Sequence, residues 1–297
     1  MTDTSPTHEL VVGVDGSASS AAAIAWAARD AASRGIALRL VHVVPPIVLP
    51  SSPMPDMPVD VARAAEHRAR RIVEDAHTVA SEAAPDNASR VTTEVIAGPI
   101  VPTLVELSKS AEMVVVGCLG EGAVQRALLG SVSSGLVHHA HCPVTVMHTE
   151  RALSPQEPVL VGIDGSPTSE RATAIAFDEA SRRGVDLIAL HAWTDMGPLE
   201  FPSINWAPIE WRNIEEREVE VLAERLSGWQ AQYPDVTVRR VVVADRPGLR
   251  LLDHADHAQL IVVGSHGRGG FSGMLLGSVS SAIVHSAQIP VIVARQS

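Results

Sequence analysis

Cysteine is nearly absent from the 297 residues: Cys118 and Cys142 form neither a CxxC pair nor a disulfide framework, which suits a reducing compartment. Aromatic residues make up only 3%, too few for the stacking platforms of single-strand binding proteins. Basic residues are outnumbered, 23 against 34 acids, for a formal charge of −11. A broad nucleic-acid surface is therefore not expected, because neutralising phosphates needs clustered cations. No apolar run approaches the roughly 20 residues that span a bilayer, so no membrane association is expected. Met1 to Glu9 is polar and lacks the apolar stretch of a signal peptide, so a cytoplasmic location is expected. With 46% apolar and 19% charged residues the chain reads as globular, and its length allows two domains of about 150 residues.

What the chain does contain is a tandem repeat. Val11-Val12-Gly13-Val14-Asp15-Gly16-Ser17 returns as Val161-Gly162-Ile163-Asp164-Gly165-Ser166, and Val114-Val115-Val116-Gly117 returns as Ile261-Val262-Val263-Gly264. Leu128-Leu129-Gly130-Ser131-Val132-Ser133-Ser134 returns as Leu275-Leu276-Gly277-Ser278-Val279-Ser280-Ser281. The expected layout is one domain over 1–149, a linker over 150–158 with Pro155 and Pro158, and a second domain over 159–297.

Each half alternates apolar strands with helical periods. Strands are expected at Leu10–Asp15, Leu38–Val44, Val91–Ile96, Met113–Gly117 and Val144–His148 in the first half. In the second they are expected at Val159–Asp164, Asp186–Trp193, Thr237–Val243, Leu260–Gly264 and Val291–Ala294. A helix with Ile24, Ala27, Ala28 and Ala31 on one face is expected to stop at Gly35. A long helix follows the proline-rich stretch Pro45–Pro58. Such strands belong in parallel sheets covered on both faces, so the fold class is α/β: two doubly wound, Rossmann-like domains.

Ligands of doubly wound sheets bind beyond the carboxyl ends of the strands. Two features reach that end in each half. One is the first strand's close, Gly13 and Asp15, or Gly162 and Asp164. The other is a glycine-rich turn: Gly117, Cys118, Leu119, Gly120, Glu121, Gly122 and Ala123, then Gly130, Ser131, Val132 and Ser133. Its counterpart is Gly264, Ser265, His266, Gly267, Arg268, Gly269 and Gly270, then Gly277, Ser278, Val279 and Ser280. Both copies read Gly-x2-Gly-x9-Gly-Ser. Glycines let backbone N–H groups approach an anion, and the Gly-Ser pair opens a helix whose first N–H groups lack partners. Asp-Gly-Ser is also good turn and cap chemistry, so Asp15 and Asp164 have a structural reading beside the ligand one.

Other clusters are weaker. His138, His139, His141 and Cys142 look like a metal box but lack a second ligand pair, so no metal site is expected there. Asp253-His254 and Asp256-His257 read as a solvated helix face, Cys118 as a small buried side chain, and His42 and His191 as satisfied core or rim histidines. No Gly-x4-Gly-Lys motif is present.

The duplicated pattern resembles the ATP-binding branch of the universal stress protein family in tandem form, similar to those of mycobacteria. The resemblance implies five-stranded sheets of order 3-2-1-4-5, with ATP at the crevice between the first and fourth strands. It implies Asp15 and Asp164 at the ribose and metal side, with magnesium, and the backbone of Val43 and Ala192 at adenine. Gly117, Gly120, Gly130 and Ser131, and Gly264, Gly267, Gly277 and Ser278, would hold the phosphates. It also implies homodimerisation and a regulatory role in stress response or growth. The alternative is a slow ATPase or adenylyl-transferring enzyme; a nucleotide-free interaction protein is a third class. Lys109 is the only lysine and lies outside both loops, and no carboxylate or glutamine recurs in both as a base, which favours binding without efficient turnover and no catalytic residues. Arg268 faces Glu121 in the alignment of the loops, which predicts tighter phosphate binding in the second half.

Overall fold

The computed structural model describes residues 8–46, 59–120, 129–148, 152–193, 207–268 and 275–295, with side chains of the two long helices described from 63 and 215 onward. The chain divides into two compact units, Met1–Met147 and His148–Ser297.

The first unit runs β1 (Glu9–Gly13), α1 (Ala18–Arg34), β2 (Ala37–Val44), α2 (Val59–Ala83), β3 (Val91–Ala97), α3 (Ile100–Leu107), β4 (Met113–Gly117), α4 (Ser131–His139) and β5 (Val144–Met147). Its strands lie in the order β3-β2-β1-β4-β5, all neighbours parallel. Val12 is flanked by Leu40 on one side and Val115 on the other, and all three are fully buried. Burial on both faces explains why these strands read as continuous apolar runs instead of alternating ones.

The second unit repeats the plan with β6 (Val159–Gly162), α5 (Pro167–Arg183), β7 (Leu187–Ala192), α6 (Ala207–Gln232), β8 (Val238–Val243), α7 (Pro247–Ala255), β9 (Leu260–Gly264), α8 (Ser278–Ser286) and β10 (Val291–Ala294). Its order is β8-β7-β6-β9-β10, again parallel. Each unit therefore has the expected 3-2-1-4-5 order. Residues 152–158 precede β6, and Gln259 Nε2 donates to Pro155 O at 3.1 Å.

The crossover after the first strand follows local chemistry. Both first strands end two residues before the aspartate that was expected to close them, at Gly13 and Gly162. The aspartate's own carboxylate turns the chain: Ser17 N–H donates to Asp15 Oδ1 at 2.9 Å, and Ser166 N–H to Asp164 Oδ1 at 2.8 Å. The intervening Gly16 and Gly165 have φ of +85° and +78°, the left-handed region that a side chain disfavours. Ser17 then caps α1, accepting from Ser20 N–H at 3.1 Å, as Ser166 caps α5, accepting from Ser169 N–H at 3.2 Å. Gly35 (φ +68°) ends α1 as expected, its N–H on Ala32 O and that of Ile36 on Ala31 O.

One difference between the units concerns the first helix. Alanines line the buried face of α1, with Ala23, Ala27 and Ala31 at 0% exposure. In α5 the buried face includes Phe177, whose ring packs on Trp229 of α6 and on Tyr233 just beyond that helix, at centroid distances of 6.1 and 5.7 Å.

Candidate functional site

At the carboxyl end of the first unit's strands lies a cavity of about 360 Å³, within the range of small-molecule sites. Gly13 at the end of β1 and Asp15 in the turn beyond it, Val43 from β2, Gly117 at the end of β4 with Leu119 and Gly120 from the loop that follows, and Gly130, Ser131, Val132 and Ser133 at the start of α4 all line it. These ten were singled out in the sequence, and the fold brings them to one place. A second cavity, of about 350 Å³, runs along α1 and α2 and shares Asp15, Ser17 and Arg68 with the first.

The loop after β4 is held by backbone and hydroxyl groups. Cys118 N–H donates to Met147 O at 3.0 Å, and Cys118 O accepts from Gly130 N–H at 2.8 Å and Ser133 Oγ at 3.1 Å. Cys118 thus positions the loop through its backbone, with a buried side chain that does not line the cavity. The next carbonyl, on Leu119, accepts from the hydroxyls of Ser17 and Ser19 on α1. A trans peptide keeps C=O and N–H on opposite sides, so Gly120 N–H is turned away from α1. The Gly120 nitrogen lies by the start of α4, where a Cβ on Gly130 would come 3.7 Å from it.

The glycines have separate reasons. A Cβ on Gly120 would come 3.0 Å from Asp15 Oδ2, and one on Gly130 would come 3.1 Å from Cys118 O. Gly117 serves a different purpose from the expected approach to an anion: its open face meets α1, where a Cβ would lie 2.9 Å from the Ser19 carbonyl carbon. This glycine lets the helix sit close on the strand.

Helix α4 begins without the cap that α1 has. Its N-cap is Gly130, with no side-chain hydrogen bond. Among the described residues the N–H groups of Ser131, Val132 and Ser133 meet no acceptor, whereas Ser134 N–H reaches Gly130 O at 2.9 Å. Three donors and the positive end of the helix dipole therefore face the cavity.

The second unit repeats this framework. Ser265 O accepts from Gly277 N–H at 2.7 Å and Ser280 Oγ at 3.0 Å, and Ser265 itself is buried. His266 O accepts from Ser166 Oγ at 3.1 Å and Thr168 Oγ1 at 2.5 Å. A Cβ on Gly267 would meet Asp164 Oδ2 at 2.6 Å, and Arg268 N–H donates to that oxygen at 3.2 Å. Gly264 faces the backbone of Thr168 as Gly117 faces Ser19. Gly277 caps α8 without a side-chain bond, leaving Ser278, Val279 and Ser280 as its first turn. Gly162 ends β6 and Ala192 ends β7. Of the expected site residues, Glu121, Gly122, Ala123, Gly269 and Gly270 lie outside the described residues.

Residues 7–148 and 156–295 each match the Universal stress protein family. The chain belongs to the universal stress protein family. Universal stress protein Rv1996 of Mycobacterium tuberculosis is 58% identical over 299 residues, covering 96% of this chain and 94% of that protein. Universal stress protein Rv2623 of the same species is 49% identical over 292 residues, covering 97% and 96%. Among solved structures, a universal stress protein from Archaeoglobus fulgidus has the same fold, with a TM-score of 0.66, 20% identity, and 99% and 98% of the two chains covered.

Part of the wall of this universal stress protein's first cavity was not singled out in the sequence. Ala65, Arg68, Ala69 and Ile72 of α2 and Ile100 and Leu104 of α3 line it, as does Pro45. Ala65, Ala69 and Ile72 are spaced to share one helix face, a signal available in the sequence, but periodicity does not say what that face meets. His42 also lines the cavity, and its Nδ1 lies 2.7 Å from Val14 O. A carbonyl only accepts, so in a neutral ring the proton sits on Nδ1 and Nε2 carries the lone pair. Among the described residues no three metal-ligating side chains come together, and none of the helices is long and apolar enough to cross a membrane. His138 and His139 occupy the last turn of α4, and Asp253 on α7 pairs with Arg250 at 3.1 Å.

Proposed function

We propose that this universal stress protein binds ATP with magnesium and acts as a nucleotide-dependent regulator of stress response or growth. The observation that carries the reading is the meeting of the Gly-x2-Gly-x9-Gly-Ser loop, the uncapped start of α4 and the Asp15 turn around one cavity. The donors suit a phosphate chain: N–H groups of Ser131, Val132 and Ser133 at a helix N-terminus, with Gly120 and Gly130 admitting close approach. Val43, at the end of β2, offers backbone to the base, and Asp15 stands beside Gly120 where a ribose or a phosphate-bound magnesium would sit. The same roles fall to Asp164, Ala192, Gly267, Gly277 and Ser278 in the second unit.

The reading includes binding without efficient turnover. Lys109, the only lysine, is exposed beyond the end of α3 and pairs with Glu106 at 2.6 Å, so it supplies no cation to a transferring phosphate. A cytoplasmic homodimer is part of the same proposal. The test is to purify the protein, denature it and separate the released nucleotide by anion-exchange chromatography. ATP in the supernatant is the expected result. No released nucleotide, together with no heat when folded, stripped protein is titrated with magnesium ATP, overturns the proposal.

A further inference from the structure

We propose that the two crevices are not equivalent and fill in order: the first unit takes ATP, while a side-chain pair inside the second stands where the base would go. This rests on the nucleotide reading above and adds a ranking of the two sites.

The comparison starts from one histidine in each unit. His42 and His191 are anchored alike, with Nδ1 at 2.7 Å from Val14 O and 2.6 Å from Ile163 O. What lies beyond Nε2 differs. In the first unit the ring is part of the cavity wall, to which α2 contributes Ala65. In the second, Nε2 meets Glu218 Oε2 of α6 at 3.0 Å, and the ring is only 2% exposed. A carboxylate thus covers the histidine that borders the base end of the crevice.

The long helices explain the difference. Gly16 faces Ile72 of α2, and Gly165 faces the guanidinium of Arg225 on α6. The wall that α2 gives the first crevice contains the small residues Ala65 and Ala69, whereas α6 sets Glu218 against His191 in the second unit. Alanines leave room in the first crevice, where in the second unit α6 places a carboxylate on the histidine. ATP entering the second unit has to displace Glu218 from His191, losing a hydrogen-bonded pair that the first unit never forms. The loop charges act in the opposite sense, since Arg268 favours the second unit, and the base end outweighs them.

Isothermal titration of the stripped, full-length protein with magnesium ATP separates the terms. Ser278→Asp leaves the first unit as the working site and Ser131→Asp leaves the second, because each places a carboxylate where phosphate would bind. The first unit is expected to bind about tenfold tighter than the second, the order of one displaced hydrogen bond to a charged group. Adding Glu218→Ala to the protein with only the second site should strengthen it by about tenfold. Adding Ala65→Glu to the protein with only the first site should weaken it by a similar factor. Equal affinities, a tighter second unit, or no response to Glu218→Ala overturns the ranking and leaves ATP binding intact. Absence of heat in the wild type and both single-site proteins overturns the nucleotide reading itself.

Discussion

Ser19 stands against the face of Gly117 that has no side chain: a Cβ there would come 2.5 Å from Ser19 Oγ and 2.9 Å from the Ser19 carbonyl carbon. The second contact is backbone at the start of α1, so the helix has to move. Gly117→Ala is therefore expected to destabilise the first unit by about 1–3 kcal/mol, the range of overpacked sites. Gly264→Ala, which meets the Thr168 carbonyl carbon at 2.8 Å, should do the same in the second. Urea denaturation checks this, and midpoints equal to wild type would contradict the packing role.

The hydroxyls on the first turns of α1 and α5 aim the loop peptides. Ser19→Ala frees the Leu119 carbonyl from one of its two donors, and Thr168→Val does so for His266. Each should cost about 1 kcal/mol of stability and weaken ATP binding in its own unit by about threefold to fivefold, through a misdirected Gly120 or Gly267 N–H. Titration and denaturation of the same variants check both effects. Unchanged affinity would mean that the loop keeps its orientation without the hydroxyl.

Ser131 is exposed at the first position of α4, where an acidic side chain favours the helix. Ser131→Asp should therefore leave thermal stability equal to or above wild type while lowering first-unit ATP affinity by at least about tenfold through charge repulsion. Paired melting and binding curves separate the two. A variant that loses stability and affinity together would point to a folding defect instead.

Stability of the second unit depends on a buried carboxylate. Glu179 is 0% exposed and is held by Arg182 and Arg183, each at 2.8 Å. Glu179→Ala removes the buried carboxylate that two guanidiniums share, while Arg182 keeps Asp178 at 2.7 Å and Arg183 keeps Gln259 at 3.2 Å; the expected loss is about 3 kcal/mol, the low end for a broken buried pair because both arginines keep these contacts and some solvent. A denaturation curve with the second unit's transition unmoved would contradict this.

The sheet was legible because strands such as Val11–Val12 and Val161 are buried on both faces and recur in both halves in the same order. The Asp15 turn was half legible. The apolar run continues through Val14, which is buried and donates its N–H to Val41 O, so strand chemistry outlasts the ladder and hides where the turn begins. The loop and the α4 start could be read directly, since their glycines are adjacent in sequence to the donors they expose. The wall from α2 could not. Ala65 is more than 50 residues before Gly120, and only the folded chain shows that it lines the first crevice and that Glu218 meets His191 in the second unit. For the same reason, Gly117 was legible as part of the motif while its partner Ser19 was not.

Under the proposed function, ATP sits in the first unit between the Asp15 turn and the start of α4. A crystal structure of the protein grown with magnesium ATP tests it most directly. The expected result is phosphate oxygens on the N–H groups of Ser131, Val132 and Ser133, the base beside Val43 and the ribose near Asp15. Crystals grown at millimolar ATP with this cavity empty, or with the nucleotide bound elsewhere on the first unit, would contradict it.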